Sequence, residues 1–411
     1  MARHSIFLVL AMCVASASSL TSSSQQCSWS PFSRLQLSQP ACPPLVDDRT
    51  AAESVSWAPW AYAPHCVYPP DHNVTARHCI YTYLTANGEG GMSLVADPET
   101  AAFVAGIFAA RSEPWGEAPL WQLSPGEHAR AYEIADIPGK ERGVVAKRPI
   151  RTGELIMRET PFVVGFTSGP KGIAREENPW LLKAAFERLP EAHRERLGDV
   201  AVSTGGEWHE DAMRTNAFGI TVDGVDFSAL FPEIARLNHA CRPNAFTRYS
   251  RTTLQMEIVA QQDIEPGEEI TITYIPQNLY TADRQKMLSR RGFTCTCPVC
   301  SSPSATATSD ANKARVQSIL ETLRDLGPRR TEGVLDELWG EMLGVLEVEA
   351  LWSQVAEFAA LWADLYWLAG AREKARSMAA RALRERVFYT GPDSERAEKA
   401  RLFVGKFGGA S

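Results

Sequence analysis

Between Arg236 and Cys300 lie the residues whose types and spacing carry chemistry. The run opens on R-L-N-H-A-C-R-P-N (Arg236 to Asn244), continues to Tyr274 and closes on F-T-C-T-C-P-V-C (Phe293 to Cys300). Three of its four cysteines fall within six residues, spaced C-x-C-x2-C. That spacing lets several thiolates turn onto one ion, and Cys241 is the nearest spare thiol. A structural zinc site of Cys241, Cys295, Cys297 and Cys300 is expected, tetrahedral, with Zn–S distances of about 2.3 Å. Such a site leaves no position open for water. It would draw Asn238, His239, Tyr274 and Phe293 together. The rival is disulfide formation in an oxidising compartment, although C-x-C neighbours resist so tight a loop on each other.

The surrounding pattern is one of short strands. Leu254, Met256, Ile258 and Ala260 alternate strictly, and Pro266-Gly267 marks a turn before Ile270, Ile272 and Tyr274 on one strand face. Val144 to Ala146 and Leu155 to Phe166 are β-rich, separated by a turn at Arg151 to Glu154. Strands this short, broken by turns, predict small curled sheets and not a dinucleotide-binding unit. Ahead of them, I-P-G-K-E-R-G-V-V-A (Ile137 to Ala146) has glycines four apart, which let backbone pass close to a ligand. Lys140 and Arg142 lie between them, read from the residues alone as two exposed cations in a turn.

N-H-A-C-R-P-N is similar to the N-H-S-C-x-P-N signature of SET-domain protein-lysine methyltransferases. The Tyr274 strand resembles their catalytic-tyrosine motif, and C-x-C-x2-C resembles their post-SET zinc element. The nearest likeness is to the SET-and-MYND group and fungal-type relatives without the MYND finger; it runs from about Tyr132 to Cys300. Residues 167–212, where a MYND finger can interrupt the domain, contain no cysteine, which excludes that finger. The resemblance implies an α+β architecture: a SET β-clip domain with the Asn-His segment threaded in a pseudoknot, and a post-SET zinc site. It also implies S-adenosylmethionine as methyl donor, with Tyr274 catalytic. Cofactor contacts would come from Lys140, Arg142, Asn216 (in N-A-F), Asn238, His239 and Phe293. The partner would be a protein substrate with a target lysine, histone or not. Three positions depart from the family pattern: Glu141 replaces a glycine of the first loop, Ala240 a serine, and Arg291 a tyrosine beside the lysine channel.

The 411 residues exceed one ordinary domain of roughly 100–200 residues. With 45% hydrophobic and 22% charged residues the composition is globular, and a net charge of −7 argues against a nucleic-acid backbone as partner. Arg3 and His4, the apolar run Ile6 to Val14 and Ala15-Ser16-Ala17 read as a secretory signal over residues 1–19. No stretch is long enough to span a membrane. Residues 20–125 read as a Cys- and Trp-rich module stapled by Cys27, Cys42, Cys66 and Cys79 in one of three pairings. The SET domain is assigned to 130–276, the zinc element to 290–301 and a Ser/Thr-rich linker to 302–312. A helical domain over 313–405 follows, resembling a tetratricopeptide-like tail. The expected product is secreted and monomeric, the alternative site of action being nucleus or cytoplasm. A second function is a secreted, catalytically weak SET-derived interaction module.

Overall fold

A computed structural model describes residues 57–69, 77–85, 88, 90–109, 130–167 and 169–408. The signal segment, Cys27 and Cys42 lie outside these residues. Strands β1 (His65–Val67), β2 (His78–Leu84) and β3 (Gly91–Ala96) come first, followed by helix α1 (Pro98–Ala109). Then come β4 (Tyr132–Asp136), β5 (Arg142–Ala146), β6 (Leu155–Glu159) and β7 (Val163–Gly165). Helices α2 (Asn178–Glu187), α3 (Glu191–Gly198) and α4 (Trp208–Asn216) fill the insertion. Strands β8 (Phe218–Val222), β9 (Val225–Leu230), β10 (Asn238–His239), β11 (Ala245–Tyr249), β12 (Met256–Ala260) and β13 (Glu269–Ile272) complete three small sheets. Their orders are β1-β2-β3-β7-β9-β8, β10-β13-β5-β4 and β11-β12-β6.

The expected alternation is realised in β12, whose Met256, Ile258 and Ala260 are buried. The Pro266-Gly267 turn is realised with Gly267 in the left-handed region at φ 85°, where only glycine sits without strain. The segment assigned to a separate amino-terminal module instead adds β1, β2 and β3 to the first sheet, β3 pairing in parallel with β7. Its Trp60, Tyr81 and Leu94 share one apolar core with Val144, Ile258 and Ile270. A two- or three-stranded ribbon cannot cover both its faces alone, so it joins the neighbouring sheet. Within it, Cys66 and Cys79 stand opposite one another on β1 and β2 and form a disulfide.

The insertion is clamped to the sheets by buried charge. The Glu159 carboxylate at the end of β6 accepts from the backbone N–H groups of Glu233 and Ile234, the latter at 2.9 Å. Arg196 of α3 bridges Glu159 and Glu233. Burial pushes the Glu159 carboxyl up to about 7 in spite of Arg196.

Helices α5 (Thr281–Ser289), α6 (Pro298–Ser301) and α7 (Pro303–Asp325) follow the sheets. The expected linker at 302–312 is therefore helical. Ser302 caps α7 by accepting from the Ala305 N–H, and Pro303 occupies the first turn, where its missing donor costs nothing. The small residues that read as a linker are compatible with a helix once such a cap starts it. Beyond lie α8 (Glu332–Val348), α9 (Val355–Leu368), α10 (Arg372–Thr390) and α11 (Glu395–Gly405), the last capped by Ser394. They pack around Trp339, Met342, Trp362 and Tyr366. The buried Trp362 indole donates to the Leu335 carbonyl at 2.9 Å.

This helical region is joined to the sheets at several places, among them Ser250 to Asp393, Arg248 to the Phe388 carbonyl, and a buried carboxylate. Glu349, its side chain 1% exposed, pairs with Arg242 at 2.5 Å and Lys313 at 2.8 Å. It also accepts from Ser309 and Asn312. Burial by itself would raise its carboxyl; the hydrogen bonds from Asn312, Lys313, Ser309 and Arg242 outweigh that and bring it down to about 2. Removing one member leaves the others as buried, unpaired charge. Glu349→Ala is expected to lower the unfolding free energy by about 3–5 kcal/mol, measured by urea denaturation. The native contribution is full above the ordinary value of 4.5 and fades as pH falls from there toward about 2, so the gap between variant and native should narrow in acid.

Candidate active site

Parallel strand pairs need a crossover, and here the β11–β12 hairpin lies between β10 and β13 in sequence. The pairing sets Asn238 beside Thr271 and His239 beside Ile272. It places both motif residues at the floor of a cleft of about 580 Å³. The walls are the turn between β4 and β5, the chain after α3, the join of α4 to β8, and the segment from Arg291 to Cys297. Lys140, Arg142, Asn216, Asn238, His239, Tyr274 and Phe293 all line it. One cleft thus gathers side chains up to 153 positions apart, as counted from Lys140 to Phe293.

The first wall explains how Glu141 is accommodated. In that turn Gly139 takes the left-handed backbone (φ 75°), and the Ile137 N–H donates to the Glu141 carbonyl. Glu141 needs no glycine-only conformation. The glycine that matters sterically is Gly143, where a Cβ would stand 2.8 Å from Asn238 Nδ2 and 2.5 Å from Ile137 Cγ1. That close approach lets the Asn238 amide donate to the Arg142 carbonyl (3.2 Å) and to Glu269 Oε1 (2.9 Å). Glu269 also receives Lys140. Arg142 reaches Asp199 at the cleft rim, at 3.6 Å.

Tyr274 is held from two sides. Its phenol donates to the Leu237 carbonyl at 2.6 Å, and its N–H donates to His239 Nδ1 at 3.1 Å. Since Nδ1 accepts, the ring proton belongs on Nε2, which lies 3.6 Å from Cys241 Sγ. Burial pushes His239 down to about 4, so the imidazole is neutral, and burial pushes the phenol up to about 12. Phe293 stands edge-on to Tyr274 with ring centres 6.2 Å apart. Arg291, the departure from the expected tyrosine, lies over the Tyr274 ring with its guanidinium carbon 5.7 Å from the centre.

Behind the cleft, Cys241, Cys295, Cys297 and Cys300 bring their sulfurs within 4.8 Å of one another. Cys241 Sγ is 3.9 Å from that of Cys295 and 3.5 Å from that of Cys300. A tetrahedron with metal–sulfur bonds of about 2.3 Å has an edge of about 3.8 Å, so the set fits an ion of zinc size. No sulfur pair in it is bonded as a disulfide; these cysteines are free. Gln285 of α5 clamps Cys295, accepting from its N–H and donating to its carbonyl, both at 3.1 Å.

Residues 141–275 match the family described as SET domain. This chain carries a SET domain. Over 283 residues it is 29% identical to histone-lysine N-methyltransferase set5 of Schizosaccharomyces pombe, covering 66% of this chain and 83% of that one. It is 34% identical over 136 residues to N-lysine methyltransferase SMYD2 of Bos taurus, covering 30% and 29%. The SMYD2 of Homo sapiens matches at 34% over 128 residues, covering 30% and 27%. The matches therefore span under a third of the SMYD2 proteins.

Within the SET domain, Asn216 lines the cleft and is also anchored from behind. Its amide hydrogens are both used, on the carbonyls of Ala201 (2.7 Å) and Ala212 (2.8 Å), which ties the cleft wall to α4. Its Oδ1 is left as an acceptor. Sequence reasoning missed Glu269, which joins Lys140 and Asn238. It also missed Ser203, whose hydroxyl donates to the Arg291 carbonyl at 3.0 Å and so joins the insertion to the post-SET segment. An acid in G-E-E-I just after a turn was the available signal for Glu269; Ser203 carried none. The cysteine geometry predicts one tightly held zinc per chain by elemental analysis. Cys241→Ser is expected to lose the metal and lower the melting temperature, because three sulfurs cannot close the tetrahedron.

Proposed function

We propose that this protein is an S-adenosylmethionine-dependent protein-lysine N-methyltransferase with a structural zinc at its four-cysteine cluster. The observation that carries the reading is the meeting of Tyr274, the Asn238–His239 pair and the Lys140–Arg142 turn in one cleft. The volume falls in the range of ligand pockets, about 300–1,000 Å³. S-adenosylmethionine supplies the methyl group when bound. Arg142 and Lys140 stand where a cofactor carboxylate would be met, and Asn216 Oδ1 is an acceptor suited to an ammonium. Phe293 offers a ring face or edge to an adenine.

Tyr274 orients and does not act as a strong base. Its O–H is committed to Leu237, so its oxygen can only accept, which suits the N–H of an incoming amine. With the phenol pushed up to about 12, it stays neutral across the working range. The His239 ring fixes the Tyr274 backbone from below, and its Nε2–H faces Cys241 Sγ, the arrangement by which neighbours orient metal ligands. The zinc would then hold the Phe293 segment against the cleft, taking no part in the transfer. Secretion is part of this proposal: the Ile6 to Val14 run and the Cys66–Cys79 disulfide support passage through an oxidising compartment.

Calorimetric titration of the full, zinc-replete chain with S-adenosylmethionine should show saturable one-to-one binding. Tyr274→Phe should keep that binding and lose about 10²-fold or more in transfer rate. It loses one hydrogen bond worth about 1 kcal/mol, too little to unfold the chain. Absence of binding by the folded protein would overturn the reading.

A further inference from the structure

The charges that face the cleft almost all have partners. Lys140 is paired with Glu269 and Arg142 with Asp199. Arg236 donates to the Asp199 carbonyl at 2.7 Å, at the rim away from Tyr274, and feels the charges of Arg142 and Arg196 against those of Asp199 and Glu141. His239 is neutral, and Tyr274 is a neutral phenol. Arg284, on the helix before the cleft, is buried and bonded to Leu279 and Thr281, and Arg290 is exposed. The thiolates of Cys295 and Cys297 belong to the metal cluster. Arg291 remains. Its guanidinium is half-buried over the Tyr274 ring, and no carboxylate among the described residues forms an ion pair with it.

We propose that Arg291 selects the neutral amine of the substrate lysine by placing an unbalanced positive charge beside Tyr274. The inference rests on the methyltransferase reading. An ammonium brought beside Tyr274 meets a like charge in a partly desolvated cleft, which favours its neutral form. The ammonium gives its proton to water. The nitrogen lone pair then forms the N–C bond to the methyl as the C–S bond of the donor breaks. That bond's electron pair stays on sulfur, leaving a neutral thioether and a methylammonium. A lysine is nucleophilic only when neutral, so a charge that lowers its proton affinity extends activity to lower pH. A tyrosine at this position would supply no such field. Ser203 fixes the Arg291 backbone, and a Cβ at Gly292 would come within 3.0 Å of Ser203, so the insertion holds the backbone that carries the guanidinium.

The test uses the full chain, methyl-labelled S-adenosylmethionine and an array of lysine-centred peptides, followed by single-turnover rates on the best-labelled peptide at saturation. In Arg291→Leu, or Arg291→Gln should that variant fold better, the acid limb of the saturated rate should move up by about one pH unit. Arg291→Lys, which keeps the charge, should leave the limb in place. The limb of kcat/KM, set by the free peptide lysine, should not move in any of them. An unmoved limb in the neutral variants, with weaker binding only of peptides bearing Asp or Glu beside the lysine, would make Arg291 a carboxylate anchor and overturn the proposal alone. A wild-type chain that neither binds the donor nor labels any peptide would overturn both readings.

Discussion

Asn238 and His239 run parallel to Thr271 and Ile272, and every part of the cleft is referred to that two-residue pairing. From one side of it Asn238 reaches the Arg142 carbonyl and Glu269, holding the first loop. From the other, the His239 ring accepts the Tyr274 N–H and directs its second nitrogen to Cys241. The imidazole thus joins the cleft tyrosine to the cysteine cluster through a neutral, buried ring. A protonated ring could not accept at Nδ1, so the low proton affinity imposed by burial is what keeps this junction intact.

Chain segments far apart in sequence close around that junction. The insertion supplies one wall, with the Asp211 carboxylate gathering the N–H groups of Ser203, Thr204 and Gly205 into a fixed loop. The helical region supplies support next to the metal cluster, because Arg242, adjacent to Cys241, is paired with Glu349 inside the interface. Gln277 adds a bond to the Ala350 carbonyl nearby. A buried charge pair is a poor source of net stability but discriminates strongly against misplacement, since any shift leaves charge unpaired. The helices therefore locate the cysteine segment as well as burying their own core.

Much of the site was legible in the residues. Cysteine spacing predicted which four sulfurs converge, since thiolates in C-x-C-x2-C have few ways to satisfy one ion. The Asn-His motif and the alternating strand to Tyr274 predicted one cleft, and its lining contains all seven residues named for it. The linker and the separate amino-terminal module were misread for a shared reason. Ser302 as a cap and β3 as a partner of β7 depend on what lies beside them, and local composition does not encode neighbours. The anchoring of Asn216 shows the same limit, since its bonds to the Ala201 and Ala212 carbonyls depend on neighbours the motif does not name.

By itself, the amino-acid sequence determined residue chemistry, short-range periodicity and the order of motifs: the thiols, the strand faces and the cation at Arg291. Tertiary structure alone decided direction and pairing. Side-chain type says that Arg291 carries charge, but only packing against Ser203 and Tyr274 says where that charge points. The same holds for Glu269, whose carboxylate becomes part of the cleft because a strand register brings Lys140 and Asn238 to it. Hydrogen bonds and ion pairs act over a few ångströms, while the residues that make them here are separated by up to 143 positions along the chain.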